Sequence, residues 1–379
     1  MPAAKNFNYN VFYIAAFLSA AAFLFATLNH NHNIAGWLLA LFFALLAIAF
    51  SGNKFLKGLS YTVMIVAVVS IAMYHPQYFI AIGDFKLSAL IIPLLQVIMF
   101  GMGTELSLKD FANVVKMPKG IIVGIACHYI IMPLVGFGIA KIFNFPNEIA
   151  AGVILIGCCP SGLASNVMCY LARANLALSV SVTTISTILA PFLTPFLMQL
   201  LGGSFVQVDF WNMVWEITRI VIIPVVAGLA FHYLVRGKFQ WLDKAMPLVS
   251  MIGIAFILTI IIAAGRDNLI KVGVLLIVAT FIHNMAGYFL GYWSARILKF
   301  HERDCRTIAL EVGMQNAGLA SGLALTMGKL ATAGLAPAIF GPVMNVTGSA
   351  LASWWHNHSP EEALIDRTET KASLNNLSS

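Results

Sequence analysis

The sequence predicts an all-α polytopic membrane protein, and three observations carry that expectation. Of 379 residues, 60% are hydrophobic and only 10% are charged, against roughly 25% charged in a soluble domain. Too few charges are present to cover a water-facing surface, and the mean hydropathy is +0.88. Apolar runs recur at about 20 residues, the length a helix needs to cross a bilayer. The runs are continuous rather than alternating, which argues against a β-barrel.

About twelve spans are expected from hydropathy. The first, near 9–29, follows MPAAKNFN and has no small-residue cleavage site; the second, 34–51, follows at once. The pair reads as a peripheral membrane anchor over 1–57 rather than a secretory signal, and no Arg/Ser-rich transit peptide precedes it. Spans 58–75 and 88–106 come next, the latter ending in MFGMG, Met99 to Gly103. That motif reads as a close-packing bend; it is not GxGxxG and no strand precedes it. Span 120–142 carries His128, 149–172 is interrupted by GCCPSGLAS, and 175–200 carries Ser179 and Thr183. Spans 211–235, 246–265 and 270–298 follow, the last with His283-Asn284, read as a helix-packing pair. The final two are 305–328, with EVGMQNAGLASG, and 333–355. Phe210, Trp211, Trp215, Trp354 and Trp355 stand near span ends and suit an interfacial belt. The tail over 357–379 is polar and is expected to be disordered.

With the N-terminus in the cytoplasm, sixteen of the 22 Lys and Arg fall on the inside and six on the outside. This asymmetry supports cytoplasmic N- and C-termini. It also accounts for the net charge of +7, with no nucleic-acid motif behind it. Five cysteines, Cys127, Cys158, Cys159, Cys169 and Cys305, are odd in number and mostly within spans. Neither a disulfide framework nor a CxxC zinc site is expected.

Two stretches echo each other. Gly157–Ser165 reads GCCPSGLAS and Gly313–Ser321 reads GMQNAGLAS, an offset of 156. One span earlier, His128 precedes Gly136-Phe137 by eight residues, as His283 precedes Gly291-Tyr292, an offset of 155. The implied units, 58–201 and 202–356, hold five spans each. An odd number of spans inverts the second unit in the membrane, an architecture of secondary transporters. The matched stretches are also the glycine-interrupted, polar ones. A broken membrane helix leaves backbone groups free, tolerated only where protein or a polar cavity surrounds them. Breaks are therefore expected near Cys159–Gly162 and Gln315–Gly318. Half-helix N-termini there favour an anion, and freed oxygens a cation.

Glu311 is the most informative residue, because a carboxylate in mid-span is costly. Arg306, five residues before it, is not on the same helix face. Ser165 and Asn166, with Ser179 and Thr183 four residues apart on one face, supply further oxygens. That chemistry suits a hard cation, not the N/S ligation of transition metals. No HExxH or GxSxG motif is present, so the chain is not expected to be an enzyme.

GCCPSGLASNVMCYLARANLALSVSVTTIST and EVGMQNAGLA together resemble the bile acid:sodium symporter family, over about 58–356. The resemblance implies a ten-helix core of two inverted five-helix repeats with crossed, discontinuous helices. It further implies a panel domain of core spans 1, 2, 6 and 7, and sodium-coupled uptake of an organic anion by alternating access. A first sodium site would take Ser165, Asn166, Ser179, Thr183 and Glu311. A second would take Gln315, Glu311 and backbone carbonyls near Val312 and Met314, with His128 where the family has glutamine. A histidine titrates near physiological pH, so this position reads either as a weakened second site, or a proton in place of one sodium, or as a ring that simply bonds a helix backbone. On the substrate side, Ser161 and Leu163 stand in place of a glycine and a threonine, and Asn316 and Asn345 carry over. The expected substrate is a bile-acid-like anion, or another carboxylate or sulfonate. A proton-coupled or sodium-independent carrier of a small carboxylate such as pantoate or a keto acid is the rival. The resemblance places the protein in a bacterial inner membrane, with Na⁺, a small organic anion and the lipid bilayer as partners.

Overall fold

The computed structural model describes residues 9–53, 56–106, 117–235 and 240–358. The expected tail lies outside these residues from 359 onwards, as do Lys5, Lys54, Lys109, Lys116, Arg236, Lys238, Arg367 and Lys371 of the basic set. The helices are α1 (Asn10–Leu28), α2 (His32–Ser51), α3 (Ser60–Tyr74), α4 (Ile91–Glu105), α5 (Pro118–Ile142), α6 (Asn147–Cys158), α7 (Ala164–Leu171) and α8 (Leu176–Leu197). They continue as α9 (Phe210–Ile217), α10 (Ile223–Val235), α11 (Gln240–Ala264), α12 (Arg266–Ile297), α13 (Glu302–Gly313), α14 (Ala317–Thr326) and α15 (Leu335–Asn357). A two-stranded hairpin, Ala81–Ile82 with Phe85–Lys86, links α3 to α4.

Among the described residues ten helices are long and apolar enough to cross a membrane. The protein is a multi-pass, all-helical membrane protein. Each of the two remaining expected spans is divided: 149–172 into α6 and α7, and 305–328 into α13 and α14. The second break covers Met314 to Asn316, slightly before the expected position, because Gly318 already lies inside α14.

The helices sort into two groups by packing. In the first, α4 packs against α10 and α11, and α11 against α3. Glycine makes the α4–α10 approach possible: a Cβ on Gly103 would lie 2.1 Å from the Val225 carbonyl oxygen, and one on Gly228 2.1 Å from that of Phe100. The MFGMG motif is thus a backbone contact, as its composition suggests. The α1–α2 pair joins this group through α3. It is held by Ser60 Oγ donating to the Ala47 carbonyl at 2.7 Å and by the His75 ring against the Asn33 carbonyl at 3.0 Å.

The second group holds α5–α8 and α12–α15, and here burial is deepest. Every residue from Ile149 to Ser161 is buried, as is every residue from Cys305 to Ala317. Tryptophan placement follows the expected belt only in part. Trp211, Trp215 and Trp354 are exposed, whereas Trp355 is buried, stacked on Tyr292 with the Arg306 guanidinium over its ring.

Candidate functional site

The two breaks meet. Ser161 and Gln315 form an isolated antiparallel bridge, in which Gly162 N–H donates to the Met314 carbonyl at 3.1 Å and Asn316 N–H to the Pro160 carbonyl at 2.9 Å. Only a glycine fits at 162, since a Cβ there would stand 2.6 Å from the Gln315 carbonyl oxygen.

A helix that stops in a membrane interior must find partners for its last carbonyls. The Cys158 carbonyl accepts from Thr194 Oγ1 at 2.8 Å. The Val312 carbonyl accepts from Gln315 Nε2 at 2.7 Å, and that of Gly313 from Asn284 Nδ2 at 2.9 Å. The Met314 carbonyl takes Ser161 Oγ at 3.2 Å as well as Gly162 N–H. His128 joins the two breaks directly: Nδ1 faces the Glu311 carbonyl at 2.9 Å and Nε2 the Cys159 carbonyl at 2.8 Å.

Both His128 nitrogens are therefore turned to backbone carbonyls. A neutral imidazole has one N–H and donates to one of them; only the imidazolium donates to both. The ring is a cross-brace between α6 and α13, with no nitrogen left over for a further ligand. His283 also bonds between helices, from Nε2 to the Met132 carbonyl at 2.9 Å, as its reading as a packing residue anticipates.

Behind the breaks lies the cluster around Glu311, fully buried. Its Oε1 accepts from Ser165 Oγ at 2.6 Å and Ser179 Oγ at 2.5 Å, and its Oε2 from Thr183 Oγ1 at 2.8 Å. Ser179 Oγ is also 2.8 Å from Asn166 Oδ1, and Thr183 Oγ1 is 3.4 Å from the same oxygen. Ser179 has one hydroxyl proton and two acceptors, so the cluster holds more acceptor oxygens than protons to share. Among the described residues no basic side chain pairs with Glu311. Arg306 bonds instead to Glu302 at 2.8 Å and to the Trp355 and His358 carbonyls. Nearby, Gln315 is buried and its Oε1 has no hydrogen-bond partner among the described residues. An unpaired buried carboxylate, surplus acceptor oxygens and an orphan amide oxygen form a donor set suited to a hard monovalent or divalent cation.

On the other side of the crossing is a cavity of about 130 Å³. Ile65, Leu95, Ile98, Met99, Ile257 and Leu258 make an apolar wall from the first helix group. Opposite stand Leu163, Gln315, Asn316 and Asn345, next to the N-termini of α7 and α14. Asn316 caps α14, its Oδ1 accepting from Leu319 N–H at 3.0 Å. Of the four residues expected near a substrate, Leu163, Asn316 and Asn345 line this cavity. Ser161 does not: it is buried against Met314 and lies 3.4 Å from Ser165 Oγ, on the side of the carboxylate cluster. Sequence reasoning did not single out Thr194, Leu95 or Thr347. Thr347 carried a signal, as a hydroxyl two residues after Asn345.

Comparison with known proteins places the chain among sodium-dependent transporters by sequence. Residues 92–272 match the profile described as the Sodium Bile acid symporter family. The uncharacterized sodium-dependent transporter YocS of Bacillus subtilis is 40% identical over 299 residues, covering 79% of this chain and 91% of its own. The probable chloroplastic sodium/metabolite cotransporter BASS1 of Oryza sativa is 33% identical over 311 residues, 80% of this chain and 74% of its own. The ileal sodium/bile acid cotransporter of Oryctolagus cuniculus is 34% identical over 254 residues, 64% of this chain and 71% of its own. With a 40% identical relative aligned over 91% of that relative's length, the chain belongs to the sodium/bile acid symporter family.

Proposed function

We propose that the protein is a secondary active symporter that couples sodium entry to uptake of an organic anion by alternating access. The observation that carries this reading is the buried Glu311 carboxylate, ringed by Ser165, Asn166, Ser179 and Thr183 and, among the described residues, paired with no basic side chain. Sodium in that ring would neutralise the carboxylate and relieve the acceptor surplus. A second ion would sit near Gln315 Oε1, with Val312 and Met314 contributing carbonyls once these exchange their present donors. His128 would set the spacing of the two breaks rather than coordinate the ion.

The anion would occupy the cavity, its charged end at Asn316, Asn345 and the two half-helix N-termini, its apolar part against Leu95, Met99 and Leu258. Bile-acid-like, carboxylate and sulfonate anions all fit that division of polarity. The relatives' names, sodium-dependent, sodium/metabolite and sodium/bile acid, support the same assignment. The ten core spans would form two inverted five-helix repeats, 58–201 and 202–356, in a bacterial inner membrane with both termini cytoplasmic. The α3–α4–α10–α11 group would be the panel against which the crossed-helix group moves. Coupling then requires cation and anion each to bind the two states unequally.

The test is thermal unfolding of purified protein in sodium against potassium at equal ionic strength, at pH 6 and pH 8, for wild type and Glu311→Ala. A ligand of the folded state raises apparent stability with occupancy. Sodium-specific stabilisation that Glu311→Ala abolishes is the expected result. No sodium effect at either pH, with uptake driven by a pH gradient, would replace this reading with the proton-coupled carboxylate carrier.

A further inference from the structure

Four carbonyls end α13, and three of their partners come from His128, the first break and Gln315 itself. The fourth comes from elsewhere. Gly313 lies between Glu311 and Gln315, and its carbonyl is held by Asn284 of α12 at 2.9 Å. Asn284 is fully buried. Its other amide atom, Oδ1, faces Thr347 Oγ1 of α15 at 2.5 Å. These neighbours fix the amide one way round, since a flip would set Oδ1 against a carbonyl and Nδ2 against the hydroxyl's lone pairs alone.

Thr347 stands two residues beyond Asn345, so the two side chains leave α15 on nearly opposite faces. One lines the cavity; the other holds Asn284. The hold is firm at the far end too. A Cβ on Gly287, one turn after Asn284, would lie 2.8 Å from the Gly313 Cα, and one on Gly291 3.1 Å from the Ile308 carbonyl oxygen. With α12 and α13 seated backbone to backbone, the rigid amide of Asn284 transmits a displacement of α15 to the Gly313 carbonyl.

We propose that Asn284 and Thr347 are positioning residues that link the anion cavity to the cation cluster, through the carbonyl between Glu311 and Gln315. This rests on the reading of a sodium site at Glu311. Anion bound at Asn345 loads α15; Thr347 and Asn284 carry that load to the end of the half-helix bearing the carboxylate. Sodium acts along the same path in reverse, as linkage requires.

The experiment reads sodium binding without a substrate. Sodium titrations of thermal stability are compared for wild type, Glu311→Ala, Thr347→Val, Thr347→Ser and Asn284→Ser. Removing a partner that orients a metal ligand weakens affinity by roughly tenfold or more. Half-saturating sodium therefore rises about tenfold in Thr347→Val and Asn284→Ser, and Thr347→Ser returns it to near wild type. A purely structural role would lower the melting temperature in potassium and leave half-saturating sodium in place, which overturns the proposal. Wild type without a sodium response, or Glu311→Ala with one, overturns the sodium reading itself and this inference with it.

A second measurement keeps the link to the cavity testable if one variant folds poorly. In Asn345→Cys, the rate of maleimide labelling at residue 345, followed by mass spectrometry, changes with sodium. In Asn345→Cys/Thr347→Ala the change is lost while sodium still stabilises the protein. An equal sodium effect on labelling in both, or in neither, overturns the link.

Discussion

Substituting alanine for Gly162 tests the crossing directly. The new Cβ would lie 2.6 Å from the Gln315 carbonyl oxygen and 3.1 Å from its carbon. Both are backbone atoms, pinned by the Gly162–Met314 and Pro160–Asn316 hydrogen bonds, so no rotamer change relieves the contact and the breaks must part. Overpacking a fixed site costs about 1–3 kcal/mol. Each buried backbone group left without its partner costs about 1–3 kcal/mol more, so a loss of about 3 kcal/mol or more is expected. An unfolding entropy of about 2.1 cal/mol/K per residue gives about 0.8 kcal/mol/K for this chain, so Tm falls by about 4 °C. Gly138→Ala is the internal control. It lies in α5 with nothing within 4 Å of the added Cβ, and alanine favours a helix over glycine by about 0.5–1 kcal/mol. Its Tm should hold or rise by about 1 °C. Scanning fluorimetry in detergent, repeated in sodium and potassium, reads both variants. If Gly162→Ala melts with Gly138→Ala and keeps wild-type half-saturating sodium, the bridged crossing does not organise the site and the reasoning fails.

Other outcomes follow from the same geometry. Ser179→Ala removes the hydroxyl shared by Glu311 and Asn166; half-saturating sodium should rise about tenfold, the equivalent of about 1.4 kcal/mol, and an unmoved titration would place the ion elsewhere. His128→Gln removes the cross-brace between the Cys159 and Glu311 carbonyls. Half-saturating sodium should then rise about tenfold, and an unmoved titration would show that the brace does not set the spacing of the cation site. Leu163→Thr adds a hydroxyl to the cavity wall next to Asn316, so taurocholate should protect this variant from thermal unfolding at lower concentration than wild type; an equal or higher concentration counts against Leu163 as a cavity determinant.

Much of this protein is legible locally, and the reason is physical. Run length and continuity decide whether a segment can cross a bilayer, so the membrane class and the span positions follow from composition along the chain. Glycine, proline and amides in an apolar run mark where a helix cannot close its own hydrogen bonds, so both breaks were placed to within a few residues. A mid-span carboxylate is costly wherever it lies, which singled out Glu311, and oxygen-bearing residues at helical spacing did the same for Ser179 and Thr183. Partners distant in sequence are another matter. Ser165 and Glu311 are 146 positions apart, and His128 and Glu311 183; only packing brings them together. Packing turned both His128 nitrogens to carbonyls, Arg306 to the Trp355 and His358 carbonyls, and Ser161 to the carboxylate side of the crossing, because freed backbone groups take the nearest available donor or acceptor. It also chose Asn284 and Thr347 to hold Gly313. Local sequence sets which helices must break, and tertiary structure decides which side chains satisfy the broken ends.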